Sequence, residues 1–144
     1  MTINQFWEFI LSLEDEYSSY RKKIMNRFSL SAAETDILMF LSNNPQYDTA
    51  ADISRIRKIP KSQVSTSVRS LCEKGCLYTD YKGNNRKSIH LSLSQDALTV
   101  TDYGKTVQAE FAAMLFSNFS EEEKTEFERL HIKIADNIKN KKER

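Results

Sequence analysis

Residues 59–78, IPKSQVSTSVRSLCEKGCLY, form a helix-spaced segment with an unusual polar side. Val64, Val68 and Leu71 are spaced by four and three, which is one narrow apolar stripe of a helix. At about 100° per residue, Ser62, Thr66, Arg69 and Glu73 fall opposite that stripe, with Gln63, Ser65 and Ser70 on the flanks. A face that serves only solvation uses Glu and Lys, which favour helix. This face carries Ser, Thr and Gln, short hydrogen-bonding groups of mediocre helix propensity. It is a polar surface built for contact.

The charge distribution says with what. The formal net charge is only +1, but residues 55–87 hold nine Lys or Arg against the two acids Glu73 and Asp80. That segment carries +7 and the rest of the chain −6. A basic block in an acidic chain is the electrostatic footprint of a polyanion partner, nucleic acid first among them.

Outward from the segment, the chain reads as mostly helical. Gly (three) and Pro (two) are scarce, and 144 residues fit one domain, 1–144. Residues 3–28 repeat apolar side chains at three and four, from Ile3 through Trp7, Ile10 and Tyr17 to Ile24. Capping boxes at Ser31/Glu34, Thr49/Asp52 and Ser120/Glu123 mark three helix starts. The first opens a helix to about Asn43 that buries Ala33, Ile37, Phe40 and Leu41; the second opens a short helix with Ile53 and Ile56 inward. Pro60 sits in the first turn of the quoted helix and Gly75 ends it. Residues 77–82 and 87–93 read as two strands about the turn Gly83-Asn84-Asn85. Helices over about 95–118 and 120–139 follow.

Helix, short helix, helix and hairpin in this order make a winged helix-turn-helix. The fold class is therefore mostly α with a small β-hairpin wing, its DNA-binding part at about 31–93 and its dimerisation helices at about 1–28 and 95–140. In such motifs the second helix enters the major groove, where Ser, Thr and Gln reach base edges or phosphates and Arg binds guanine through two hydrogen bonds.

Three stretches carry a family resemblance. LSAAETDILMFL (30–41), TAADISRIRKIPKSQVSTSVRSLCEKGCL (49–77) and NNRKSIHLSLSQDAL (84–98) resemble, in order and spacing, the multiple antibiotic resistance regulator (MarR) family. The tail FSEEEKTEFERLHIKIADNI (119–138) continues the likeness. The resemblance implies a dimeric cytoplasmic transcription regulator on a palindromic double-stranded DNA operator, commonly a repressor released by a small-molecule effector. It assigns Lys61, Ser62, Gln63, Ser65, Thr66 and Arg69 to the recognition helix. Arg86 takes the wing-tip position that enters the minor groove, beside Asn84, Asn85 and Lys87. One departure is plain: Asn85-Arg86-Lys87 stands where the family usually has Asp-Arg-Arg.

The terminal helices carry more apolar surface than a small winged helix buries, so Phe6, Trp7, Ile10, Phe111, Leu115, Leu130, Ile134 and Ile138 read as a two-fold interface. Tyr17, Tyr20 and Phe40 are candidates for a ligand pocket, although aromatics at helical spacing are more often plain core. Cys72 and Cys76 could bring two sulfurs together at a helix end, short of the about four ligands a zinc site needs, and His90 and His131 are the only histidines, so no metal or cofactor is expected. No nucleophile motif or phosphate loop points to an enzyme. Neither a signal peptide nor a membrane span of ~20 apolar residues is read, and the thiols fit a reducing cytoplasm. Two rival readings remain: a protein–protein adaptor on the same scaffold, and a regulator that senses oxidants through Cys72 or Cys76.

Overall fold

The computed structural model describes residues 1–81, 83 and 87–142, so the expectations on Asn84, Asn85 and Arg86 lie outside the described residues. The elements are α1 (Ile3–Phe28), α2 (Ala32–Asn43), α3 (Ala50–Arg57), α4 (Lys61–Glu73), β1 (Leu77–Asp80), β2 (His90–Leu93), α5 (Gln95–Leu115) and α6 (Glu121–Lys142). This is the winged-helix order read from the sequence. By compactness the chain divides into Met1–Ala109 and Glu110–Arg144.

In the first unit the core is built from Ile24 of α1, Ile37 and Leu38 of α2, Ile53 of α3, Val64 and Leu71 of α4, and Val107 of α5, all essentially without solvent contact. Helix starts follow local hydrogen-bonding rules. Ser31 accepts from the Glu34 N–H while Glu34 accepts from the Ser31 N–H, a complete capping box. Thr2 and Gln5 make a further box at α1 that the apolar periodicity does not reveal. At α3 only half of a box forms: Thr49 accepts from the Asp52 N–H, and the Asp52 carboxylate turns instead to Arg55 at 2.9 Å.

The two strands are shorter than the alternation of residues suggests. β1 and β2 pair antiparallel from Leu77↔Leu93 to Asp80↔His90. Beyond that, Asp80 Oδ1 accepts from the Tyr81 N–H, and the Ile89 carbonyl accepts from Ala50 N rather than from the partner strand. Both backbone groups leave the ladder, so it stops. Helix α5 likewise stops at Leu115, ahead of the turn that holds Asn118 at φ +65°.

Gly104 on α5 is set by close packing. A Cβ there would collide with the Met39 side chain of α2 and meet Ile24 Cδ1 at 3.4 Å. The atoms it would meet most closely are the thioether end of a flexible side chain, so a Cβ at 104 would require Met39 to shift.

The second unit holds the end of α5 and all of α6. Phe116 makes edge contacts with Phe119 and Phe127, at 5.5 and 5.3 Å between ring centroids. Glu121, Glu122 and Glu123 open α6 and Lys139, Lys141 and Lys142 close it, each charge set complementing the helix dipole. No residue of α6 is buried, and Leu130, Ile134 and Ile138 stand in solvent. Among the described residues no helix is long and apolar enough to cross a membrane.

One buried carboxylate ties α2 to α4. Glu34 Oε1 accepts from Ser31 N, Oε2 accepts from Ser70 Oγ at 2.9 Å, and Lys74 Nζ reaches both oxygens at 3.0 Å. Burial raises the Glu34 carboxyl, but the Ser31 N–H, the Lys74 ammonium and the Ser70 hydroxyl together outweigh it and hold the group below its ordinary 4.5. A depressed value stabilises the fold above the ordinary carboxylate range, and that stabilisation is lost as pH falls through the folded value. Glu34→Ala is therefore expected to cost roughly 2–3 kcal/mol near neutrality. In denaturant unfolding, the gap between parent and variant should narrow from pH ~6 to ~3. A gap independent of pH would contradict this account.

Candidate nucleic-acid interface

α3 and α4 meet through a tight turn. Lys58 adopts φ +57°, Ser54 Oγ donates to the Ile59 carbonyl at 2.7 Å, and Pro60 is the N-cap of α4, one residue earlier than its sequence reading. Pro60 supplies no side-chain cap, so the first N–H groups of α4 are left for solvent or an anion. The far end closes with Gly75 at φ +75°, where Cys76 N–H donates to Leu71 O and Gly75 N–H to Cys72 O. That is a complete Schellman motif, and it makes glycine necessary at 75.

Between these ends α4 buries Val64, Ser67, Val68 and Leu71. Lys61, Ser62, Gln63, Ser65, Thr66 and Arg69, the expected reading residues, are all exposed on one continuous face. Thr66 Oγ1 donates to the Ser62 carbonyl at 3.0 Å and keeps its lone pairs outward. Ser70, predicted on the flank, turns to Glu34 and is structural. A groove of about 510 Å³ runs beside α4, lined by Lys61, Ser65, Val68, Arg69, Thr79 and Ile89 among others. Residues of α4 and of the hairpin thus share one concave surface.

The basic block divides in two. Arg55 pairs with Asp52 at 2.9 Å, Arg57 approaches Asp36 at 3.8 Å, and Lys74 binds Glu34, so three of its cations are matched by acids outside the block. Lys61 and Arg69 make no ion pair among the described residues. Together with Lys58 at the turn, which is exposed and likewise makes no ion pair among the described residues, they are cations available to a polyanion.

A cavity of about 150 Å³ brings together Tyr17 and Phe40 with Asp36, Asn43, Arg57 and Gln108. Tyr20 does not line it; it packs on the core with Lys23 Nζ 4.6 Å above its ring. Asn43 donates to Gln108 and Gln108 to Tyr17, so polar groups already hold one another there. The cavity is smaller than the ~300 Å³ at which ligand pockets usually begin. Phe6, Ile10, Phe111 and Leu115 are half-buried, while Trp7, Leu130, Ile134 and Ile138 are exposed. Cys72 is half-buried and Cys76 buried, and burial pushes both thiols up. Among the described residues no group of His, Cys, Asp and Glu is placed to hold a metal ion. One contact went unread in the sequence: His90 at the root of the hairpin hydrogen-bonds Asp48 just before α3, at 2.9 Å. It depends on strand register, which the alternation pattern does not specify.

Residues 28–80 match the sequence model of the MarR family. No curated protein matches the chain. Among solved structures, a MarR protein from Peptoclostridium difficile superposes with a TM-score of 0.81 at 17% identity, over 98% of this chain and 92% of that one. A MarR transcriptional regulator from Methanosarcina mazei Go1 gives 0.79 at 18% identity, over 96% and 93%. A MarR-family transcriptional regulator from Listeria monocytogenes, solved with a 26mer DNA, gives 0.79 at 16% identity, over 98% and 91%. Likeness at this identity establishes the fold. The segment from 28 to 80, which holds α2, α3, α4 and β1, matches the MarR family's sequence model, and the chain shares the winged-helix fold of these MarR structures along nearly its whole length.

Proposed function

We propose that the protein is a sequence-specific DNA-binding transcription regulator that works as a homodimer on a palindromic operator, without catalysis. The observation that carries this reading is the exposed Lys61–Arg69 face of α4, with cations that make no ion pair among the described residues and short hydrogen-bonding groups opposite a buried apolar stripe. The Listeria relative bound to DNA supports the same use of the fold. Repression is the sign we assign, since steric occupation of an operator needs nothing beyond binding. Arg86, outside the described residues, and Lys87 are assigned to the wing contact through the resemblance of NNRK to the family's wing. A cytoplasmic location follows from access to chromosomal DNA.

Dimerisation is supported by large apolar side chains that stand about half exposed. Trp7 is 56% exposed on α1, and Leu130, Ile134 and Ile138 are 44–57% exposed at steps of four along α6. Two recognition helices about 34–36 Å apart then face successive turns of the same DNA groove. An adaptor that had abandoned DNA has no need of exposed cations on α4. A thiol sensor needs a low-lying thiol, and both thiols here are raised.

Three outcomes are expected. Arg69→Ala should cost roughly 1–3 kcal/mol per half-site and relax preference at one base position, read by titrating duplexes with single substitutions. Unchanged affinity on every duplex would favour the adaptor. Ile134→Glu should leave the helical signal intact but shift the sedimenting species from dimer to monomer, with loss of palindrome binding; a variant still dimeric would displace α6 from the interface. Peroxide should leave DNA binding unchanged, whereas release abolished by Cys72→Ser would establish the oxidant sensor.

A further inference from the structure

Strand β2 is held along both edges. One edge carries β1, with Asp80 opposite His90. The other meets the backbone just ahead of α3: Leu91 N–H donates to Asp48 O at 2.7 Å, Ala50 N–H donates to Ile89 O at 3.4 Å, and Thr49 bridges His90. Thr49 is also the N-cap of α3, which packs on α4. Beside these bonds lies the side-chain contact of His90 Nδ1 with Asp48 Oδ1 at 2.9 Å, both residues part-buried. An ionised carboxylate only accepts, so Nδ1 carries the hydrogen.

From this geometry we propose that Asp48–His90 is a latch that sets the angle of the hairpin to α4, and so sets the protein's preference for the base pairs flanking those that α4 contacts. The assignment rests on the DNA reading above. A two-stranded hairpin has little stability of its own, so its direction is decided by what its root is attached to. Backbone bonds along one strand edge fix register yet leave rocking about the strand axis. The short, planar imidazole lies off that axis, and its hydrogen bond to a carboxylate is of the stronger, charge-assisted kind. Rocking is thereby coupled to α3, and through α3 to α4. Neither Asp48 nor His90 lies on the reading face of α4. Their effect on DNA is one of placement.

The hairpin, laid beside the recognition helix, meets the flanking minor groove, and a narrow A·T groove concentrates negative potential there. The test uses a duplex enriched from a random pool by the wild-type chain, remade with A·T or with G·C flanks. The parent should prefer A·T flanks. His90→Phe and Asp48→Ala should each lower affinity for the A·T-flanked duplex roughly tenfold, the scale of one hydrogen bond to a charged group, and leave the G·C-flanked duplex nearly unchanged. The double variant should be no worse than Asp48→Ala alone, which also removes a further interaction of Asp48. His90→Asn keeps a nitrogen donor close to the Nδ1 position and should retain the flank preference.

Equal losses on both duplexes would mean a merely structural role and overturn the latch. Additive losses, or a flank preference intact in His90→Phe, would do the same. A wild-type chain that binds DNA without any flank preference overturns the latch alone. One that enriches no duplex refutes the DNA reading and the latch with it.

Discussion

Glu34 is a buried carboxylate with several donors around it, and two of them, Ser70 and Lys74, belong to the C-terminal end of α4. The same carboxylate closes the capping box at the start of α2. Burying a charge is costly unless its hydrogen-bonding capacity is filled, and here it is filled by groups from two helices. The position of α4 on α2 is therefore tied to the satisfaction of one ionised group. The Schellman closure at Gly75 and the Ser54–Ile59 bond ahead of Pro60 fix the two ends of α4. With Val64, Val68 and Leu71 buried beneath it, the helix has all its structural duties on one side. Its outer face is left without any, and that is why Ser, Thr and Gln can occupy it.

The electrostatics follow the same division of labour. Arg55, Arg57 and Lys74 answer acids that lie earlier in the chain, so the +7 of residues 55–87 overstates the field presented to a partner. Asp36 serves both Arg21 of α1 and Arg57 at the end of α3, fastening the first helix to the motif. Cations with a structural partner hold the scaffold, and Lys61 and Arg69 face outward. A basic segment read as a single number thus conflates two roles that only the fold separates.

The parts of this molecule legible in its sequence were those governed by short-range rules. Capping residues, the Pro60 and Gly75 boundaries and the 3-4 spacing of Val64, Val68 and Leu71 are local, and the helices lie within a few residues of where these signals put them. The exposed face of α4 was legible for the same reason, since helical geometry alone places Ser62, Thr66 and Arg69 opposite a buried stripe. What depended on long-range partners was not. Ser70 looked like a flank residue until Glu34, 36 positions away, was found against it. Tyr20 shared a helix with Tyr17 but not its cavity, because the choice between core and pocket is made by the neighbouring helices. The hairpin looked longer than it is, because Asp80 and Ala50 divert the backbone groups that would have extended it.

The central claim is that the outer face of α4 is the surface that meets DNA. Amide NMR of the full chain, titrated with a duplex enriched from a random pool, tests it most directly. The largest shifts are expected at Lys61–Arg69 and along the hairpin, with Ile37 and Leu38 in the core of α2 little moved. Shifts confined to other surfaces, with Lys61–Arg69 unmoved at saturation, would contradict it.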